Sequence, residues 1–213
     1  MPPVSPPPPP PPPPSTVSSP SRPLLLLAPG AGAPSSSPWM RAWAGRLGQV
    51  GRVVPLDYPY MKAGRRMPDR LPALVAAHAA ALTEARAGHD GPILLVGKSM
   101  GSRVGCHLSL DTPVSGLICL GYPLVAASNG AVRDEVLVAL RTPVLFVQGT
   151  RDPLCPLDHL ERVRARMTAR HELHVVDGGD HSLELAGGKS AREAQEESDR
   201  AVLEAIRRFV ESV

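Results

Sequence analysis

The stretch Ile93–Arg103 reads ILLVGKSMGSR. Four apolar residues, Ile93 to Val96, run into Gly97-Lys98-Ser99-Met100-Gly101, and a segment able to form a helix follows at once. A buried strand, a sharp turn and a helix is the setting in which a G-x-S-x-G serine is presented for chemistry. The serine must sit at the tip of the turn with strained backbone angles, so that its hydroxyl leaves the sheet. Strand and helix then approach too closely for side chains two positions before and after it, and Gly97 and Gly101 remove them. The helix start leaves unpaired N–H groups beside the serine, so the Met100 N–H can face a developing oxyanion. The alternative is a glycine-flanked strand-to-helix turn with an idle serine, and the five-residue pattern alone would favour it; the flanking strand and helix favour the functional reading.

Working outward, the 213 residues suffice for one α/β domain with a sizeable core. Aromatic content is only 3%, so Leu, Val and Ala must build that core. A formal charge of +3 is too small to argue for nucleic acid, and the arginines are interspersed with acids, as in Glu161-Arg162-Val163-Arg164. No stretch approaches the length of a membrane span. Cys106, Cys119 and Cys155 cannot all pair within one chain and lack metal-ligand spacing. A reducing compartment follows, cytoplasmic or nuclear.

Residues 1–22 form a proline-rich tail, with an unbroken run at Pro6–Pro14. Proline lacks the backbone donor and favours an extended, internally unbonded helix. The tail reads as a passive spacer, or as a ligand for a proline-reading protein partner. Frequent serine and the absence of acids leave a plastid transit segment as an alternative. The domain then spans residues 23–213.

Strands are expected at Leu24–Ala28, Arg52–Tyr58, Ile93–Val96, Val114–Leu120, Val144–Gln148 and Glu172–Val176. Helices alternate with them: Ser36–Leu47, Leu71–Ala87, Arg103–Leu110, a short one near Asp134–Leu140, Leu157–Met167, and Ala191–Val213. This alternation implies a mainly parallel six-stranded sheet with helices on both faces. The connection after Leu120 is too short for a large cap domain.

In such a sheet every loop that follows a strand lies on one edge. Gly30–Ala33, Ser99, Asp152 and His181 therefore gather there. The order serine, acid, histidine is that of α/β-hydrolases. His181 can take the Ser99 proton and return it to a leaving group, because imidazole titrates near working pH. Asp152 would fix the imidazole tautomer. Asp158, Asp177 and Asp180 compete as the acid, and His159, His171 and His174 as the base. Asp152 leads because it lies at the end of the strand two after the serine turn, whereas Asp177 and Asp180 sit in a glycine-rich loop. His78, in mid-helix, reads as a packing residue. The loop Lys62–Arg70, rich in arginine, is either an anion contact or a loop tied by arginine–carboxylate pairs.

Leu24–Gly32, Gly64–Arg70, Gly97–Val104, Leu120–Leu124, Leu145–Asp152 and Gly179–His181 together resemble small α/β-hydrolase-like proteins related to dienelactone hydrolases. That group includes a testis-expressed protein and the hydrolase-like region of the third regulatory subunit of the nonspecific-lethal histone acetyltransferase complex. The resemblance implies an α/β-hydrolase fold and puts Ser99, Asp152 and His181 at the triad positions. Three departures stand out. Ser102 follows Gly101 where the family usually has a second glycine. Pro29 stands where a histidine often precedes the first-loop glycine in α/β-hydrolases. Dienelactone hydrolases use a cysteine nucleophile, so their substrate does not transfer to Ser99.

The expected activity is hydrolysis of an ester or other acyl bond in a small acyl substrate, with no metal or cofactor. Met100 and Ala31 N–H groups would form the oxyanion hole, and Lys98, Arg65, Arg66 and Tyr122 would contact substrate. The alternative is a catalytically silent adaptor or complex subunit. Because residues 1–22 have no means to bury apolar surface, deleting them should leave the melting temperature unchanged, measured by circular dichroism. A large loss would show that the tail packs on the domain.

Overall fold

The computed structural model describes residues 22–187 and 191–213. The tail expectation falls on residues 1–21, outside the described residues. Arg22, assigned to the tail from sequence, donates a hydrogen bond to the Gly48 carbonyl.

Six parallel strands form one sheet: β1 Leu24–Ala28, β2 Arg52–Pro55, β3 Ile93–Lys98, β4 Gly116–Leu120, β5 Val144–Gly149 and β6 His171–Val176. Their order is β2-β1-β3-β4-β5-β6. The helices are α1 Pro38–Leu47, α2 Pro59–Lys62, α3 Leu71–Arg86, α4 Met100–Ser109, α5 Glu135–Ala139, α6 Leu157–Arg164 and α7 Ala191–Glu211. The unbroken apolar runs are explained by burial on both faces. In β1, Leu24 and Leu26 face one core layer with α3 to α6, while Leu25 and Leu27 face a second with α1 and α7. No large cap interrupts the β4–β5 connection, whose only helix is α5. No helix among the described residues is long and apolar enough to cross a membrane.

Two local differences from the sequence reading matter for the site. β2 stops at Pro55 rather than Tyr58, because the chain leaves the sheet edge after Leu56 donates to Leu27. The next residues then form α2, with Pro59 in its first turn, where a missing N–H costs nothing. The chain passes from β1 outward to β2 and returns across β1 to β3. At such a reversal the loops after the two central strands diverge and leave a crevice at their C-terminal ends.

His78 lies in α3, fully buried, with Nδ1 3.3 Å from the Tyr58 hydroxyl. Burial pushes its pKa down to about 4, whereas an unfolded histidine titrates near ~6.5. As pH falls, the unfolded chain takes up that proton first. The stability His78 contributes is therefore complete above ~6.5 and is lost as pH falls through about 4. Denaturant titrations should show a loss of about 3 kcal/mol from this group between those limits. His107 and His174, also held low by burial, add in the same sense. In His78→Gln the acid limb should flatten. An acid limb identical to wild type would place the titrating group elsewhere.

Candidate active site

β3 ends at Lys98 and α4 begins at Met100, so the turn between them is Ser99 alone. Its backbone angles, φ 49° and ψ −114°, lie where residues with a side chain seldom sit. Such strain costs of order 1–3 kcal/mol and persists only where the surroundings impose it. Here the surroundings are backbone. A Cβ on Gly97 would fall 2.1 Å from the Ser102 nitrogen, and one on Gly101 2.5 Å from the Ala28 carbonyl oxygen. Ser99 N donates to Leu120 O (3.0 Å), and the Ser102 hydroxyl donates to Gly97 O (2.5 Å), pinning both limbs of the turn.

The strand ends bring the remaining groups to this serine. His181 Nε2 lies 2.8 Å from Ser99 Oγ, and Nδ1 lies 2.8 Å from Asp152 Oδ2. The bond pattern assigns the tautomer: Nδ1–H donates to the carboxylate, and Nε2 accepts from the serine hydroxyl. The imidazole is 25% exposed while the Asp152 carboxylate is fully buried, so only the histidine end of this pair is open to solvent. Burial alone would raise the Asp152 pKa. Hydrogen bonding and charge from His181, with the Leu154 N–H and the Gln148 amide, outweigh it and hold the carboxyl below its ordinary value. Gln148 was missed by sequence reasoning as a site residue. It is completely buried, donates to Asp152 Oδ2 (2.5 Å) and accepts from Tyr122 N (3.1 Å). A lone amide closing the apolar run Val144–Val147 was the available signal.

The competitors are occupied elsewhere. Asp180 Oδ1 accepts from Ser182 N (2.7 Å) and Glu184 N (3.0 Å), which shapes the histidine loop. Asp177 accepts from the Thr150 hydroxyl (3.4 Å), and Asp158 pairs with Arg162 (3.1 Å). His171 lies against the Ala169 carbonyl (2.9 Å), His174 is inside β6, and His159 is near Asp158 (3.8 Å).

A cavity of about 330 Å³ opens over Ser99 and His181, walled by Gly30–Ala33, Trp39, Met40 and Lys98. Ala31 lines this cavity, and Met100 stands at the N-terminus of α4, where N–H groups lack intrahelical partners. A groove of about 490 Å³ adjoins it across Ala31–Ala33 and is lined by Tyr60, Arg65 and Arg66. Arg65 is tied to Asp69 (2.7 Å), so both sequence readings of that loop describe it in part. Tyr122 is placed differently from expectation. Its side chain is fully buried against Phe146, with ring centroids 6.0 Å apart, and does not reach the cavity. Only its backbone serves the site, through Gln148. Lys98 lines the cavity, but its ammonium donates to the His181 carbonyl.

The domain family described as Alpha/beta hydrolase domain matches residues 21–211. Among solved structures, an alpha-beta serine hydrolase homologue from Coxiella burnetii is 18% identical, with a TM-score of 0.67 over 86% of this chain and 87% of that one. A dienelactone hydrolase from Anabaena variabilis is 19% identical, with a TM-score of 0.63 over 83% and 85%. Est1E from Butyrivibrio proteoclasticus, solved with ferulic acid bound, is 16% identical, with a TM-score of 0.63 over 87% and 90%. At these identities the likeness is one of fold.

The elbow yields a stability test. In Gly97→Ala the added methyl meets backbone that has nowhere to go, so about 4 kcal/mol or more should be lost in urea denaturation. Gly32→Ala adds a methyl with nothing within 4 Å and should stay within about 1 kcal/mol of wild type. Equal stability of the two variants would mean that strand and helix do not close as described.

Proposed function

The chain belongs to the alpha/beta hydrolase domain family, and from that premise we propose that it is a serine hydrolase cleaving an ester or other acyl bond through an acyl-enzyme. The observation that carries this reading is the unbroken hydrogen-bonded chain Asp152–His181–Ser99, with 2.8 Å at each link. Nε2 takes the hydroxyl proton as Ser99 Oγ attacks the acyl carbon. The resulting imidazolium is stabilised by the buried Asp152 carboxylate, which stays ionised. The oxyanion is received by the Met100 and Ala31 N–H groups. His181 then protonates the departing alcohol, leaving Ser99 acylated. Water enters, loses a proton to Nε2 and releases the acid, and Ser99 regains its proton. Water is the only co-reactant this cycle requires.

A cavity of about 330 Å³ suits a small acyl group, with Trp39 and Met40 as its apolar wall. Arg65 and Arg66 line the adjoining groove, which supports their reading as contacts for a polar extension of the substrate. Cys106, Cys119 and Cys155 are all buried and unpaired, which supports the expectation of a reducing compartment, cytoplasmic or nuclear.

A fluorophosphonate probe tests the reading. Wild type should label and Ser99→Ala should not. Asp152→Asn should lower turnover by about 10⁴-fold, the loss known for that substitution in a serine protease. Asp177→Asn should cost far less, since a histidine is oriented only by a carboxylate whose own position is fixed. Absence of labelling in folded protein would favour the silent adaptor suggested by the resemblance to a complex subunit. Near-normal turnover in Asp152→Asn, with collapse in Asp177→Asn, would move the acid into the histidine loop.

A further inference from the structure

Lys98 stands between Gly97 and Ser99, at the last position of β3, and is buried. A buried ammonium is expensive unless its donors and charge are satisfied. Its Nζ donates to the His181 carbonyl (2.5 Å) and lies 5.5 Å from the centre of the Trp39 ring, within cation–π range. From α1, Trp39 Nε1 donates in turn to the Ser182 carbonyl (2.8 Å). Two consecutive carbonyls of the histidine loop are thus gripped by side chains from two other elements. The rest of the Asp180–Glu184 segment is held by the Asp180 carboxylate, which accepts from the Ser182 and Glu184 N–H groups, and by Gln195 of α7, whose amide donates to the Leu183 carbonyl (3.1 Å). Leu183, next in the loop, sits at φ 64°, an uncommon angle for a residue with a side chain. Passage for the lysine is kept open at Gly121, where a Cβ would lie 3.3 Å from Nζ and 2.5 Å from the His181 oxygen.

We propose that Lys98 is a positioning residue, holding the His181 main chain so that the imidazole spans Ser99 and Asp152, and that this hold depends on its positive charge. The charged groups facing it are Asp152 from the end of β5 and Asp180 and Glu184 from the histidine loop. Burial pushes its pKa down to about 8, with those carboxylates drawing it partly back up. Above that value the lysine is neutral, and its charge-assisted bond and its attraction to Trp39 both weaken.

The geometry stands without the hydrolase reading, but the catalytic consequence rests on it, so the test has two separable readouts. The first is hydrogen exchange of the Asp180–Glu184 amides, expressed as protection relative to the intrinsic rate at each pH, with β3 amides as reference. Lys98→Met should lower loop protection roughly tenfold, the scale of a lost charge-assisted bond. Wild type should lose the same protection as pH rises through about 8, a measurement that needs no variant. The second readout is the fluorophosphonate labelling rate, which should fall roughly tenfold in Lys98→Met at pH 7. Its wild-type alkaline decline should be missing from the variant. Unchanged loop protection in Lys98→Met and in alkaline wild type overturns the proposal, as does wild-type labelling in the variant at every pH. If wild type itself never labels, the hydrolase reading falls and loop protection alone decides the role of Lys98.

Discussion

The architecture depends on how closely the start of α4 approaches the sheet. At Gly97 it meets the backbone of β3, and at Gly101 it meets the end of β1, with no room for a side chain at either. That approach forces Ser99 into its positive-φ turn and lifts its hydroxyl off the sheet. It also brings the N-terminus of α4, with its free N–H groups, beside the same hydroxyl. Strain of ~1–3 kcal/mol is stored there. It is offset by a sheet whose central strands are buried on both faces, since each fully covered leucine contributes about 1.5–3 kcal/mol.

From this fixed serine, order is transmitted outward through hydrogen bonds rather than through packing. Tyr122 N holds the Gln148 amide, Gln148 holds Asp152, Asp152 holds the His181 ring, and the ring meets Ser99. Every member but the last two is buried, so solvent cannot compete for their bonds. An ionised carboxylate in such a place is tolerable only because both oxygens are satisfied, Oδ1 by Leu154 N and Oδ2 by His181 and Gln148. The histidine is thereby fixed at its ring from β5 and at its main chain from Lys98 of β3.

Much of this was legible beforehand because backbone geometry leaves marks in sequence. Runs such as Leu24–Leu27 and Val144–Val147 announce doubly buried strands, and the glycine pair around Lys98-Ser99-Met100 announces the crossing. The order of the sheet edge then places Asp152 and His181 near Ser99 without any pairwise signal. Side-chain direction leaves no comparable mark. Nothing local distinguishes a Tyr122 that turns into the core from one that turns into the cavity. Lys98 read as a substrate contact because its position adjoins the serine, while its partner carbonyl lies 83 residues away. α2 went unread because four residues are too few to show a helical period.

That short helix nevertheless bears on the serine. By turning the chain at Pro59, it brings the Tyr60 hydroxyl to the Ala31 carbonyl, to which it donates at 3.0 Å. Just before it, Asp57 accepts from Ser35 N (2.6 Å) and Ser35 Oγ (3.0 Å) at the other end of the same loop. In a planar trans peptide the carbonyl and the following N–H point in opposite directions. Fixing Ala31 C=O towards Tyr60 therefore fixes the Gly32 N–H away from it and sets the plane next to the Ala31 N–H. A loop of small residues alone would leave these donors free to reorient, and donors that must reorient stabilise an oxyanion poorly. The residues just after β2 thus do for the Gly30–Ala33 loop what Gln148 and Lys98 do for the acid and the histidine. Each group around Ser99 is held by a neighbour outside the chemistry, which is what a site on strand-end loops requires if its geometry is to be fixed before substrate arrives.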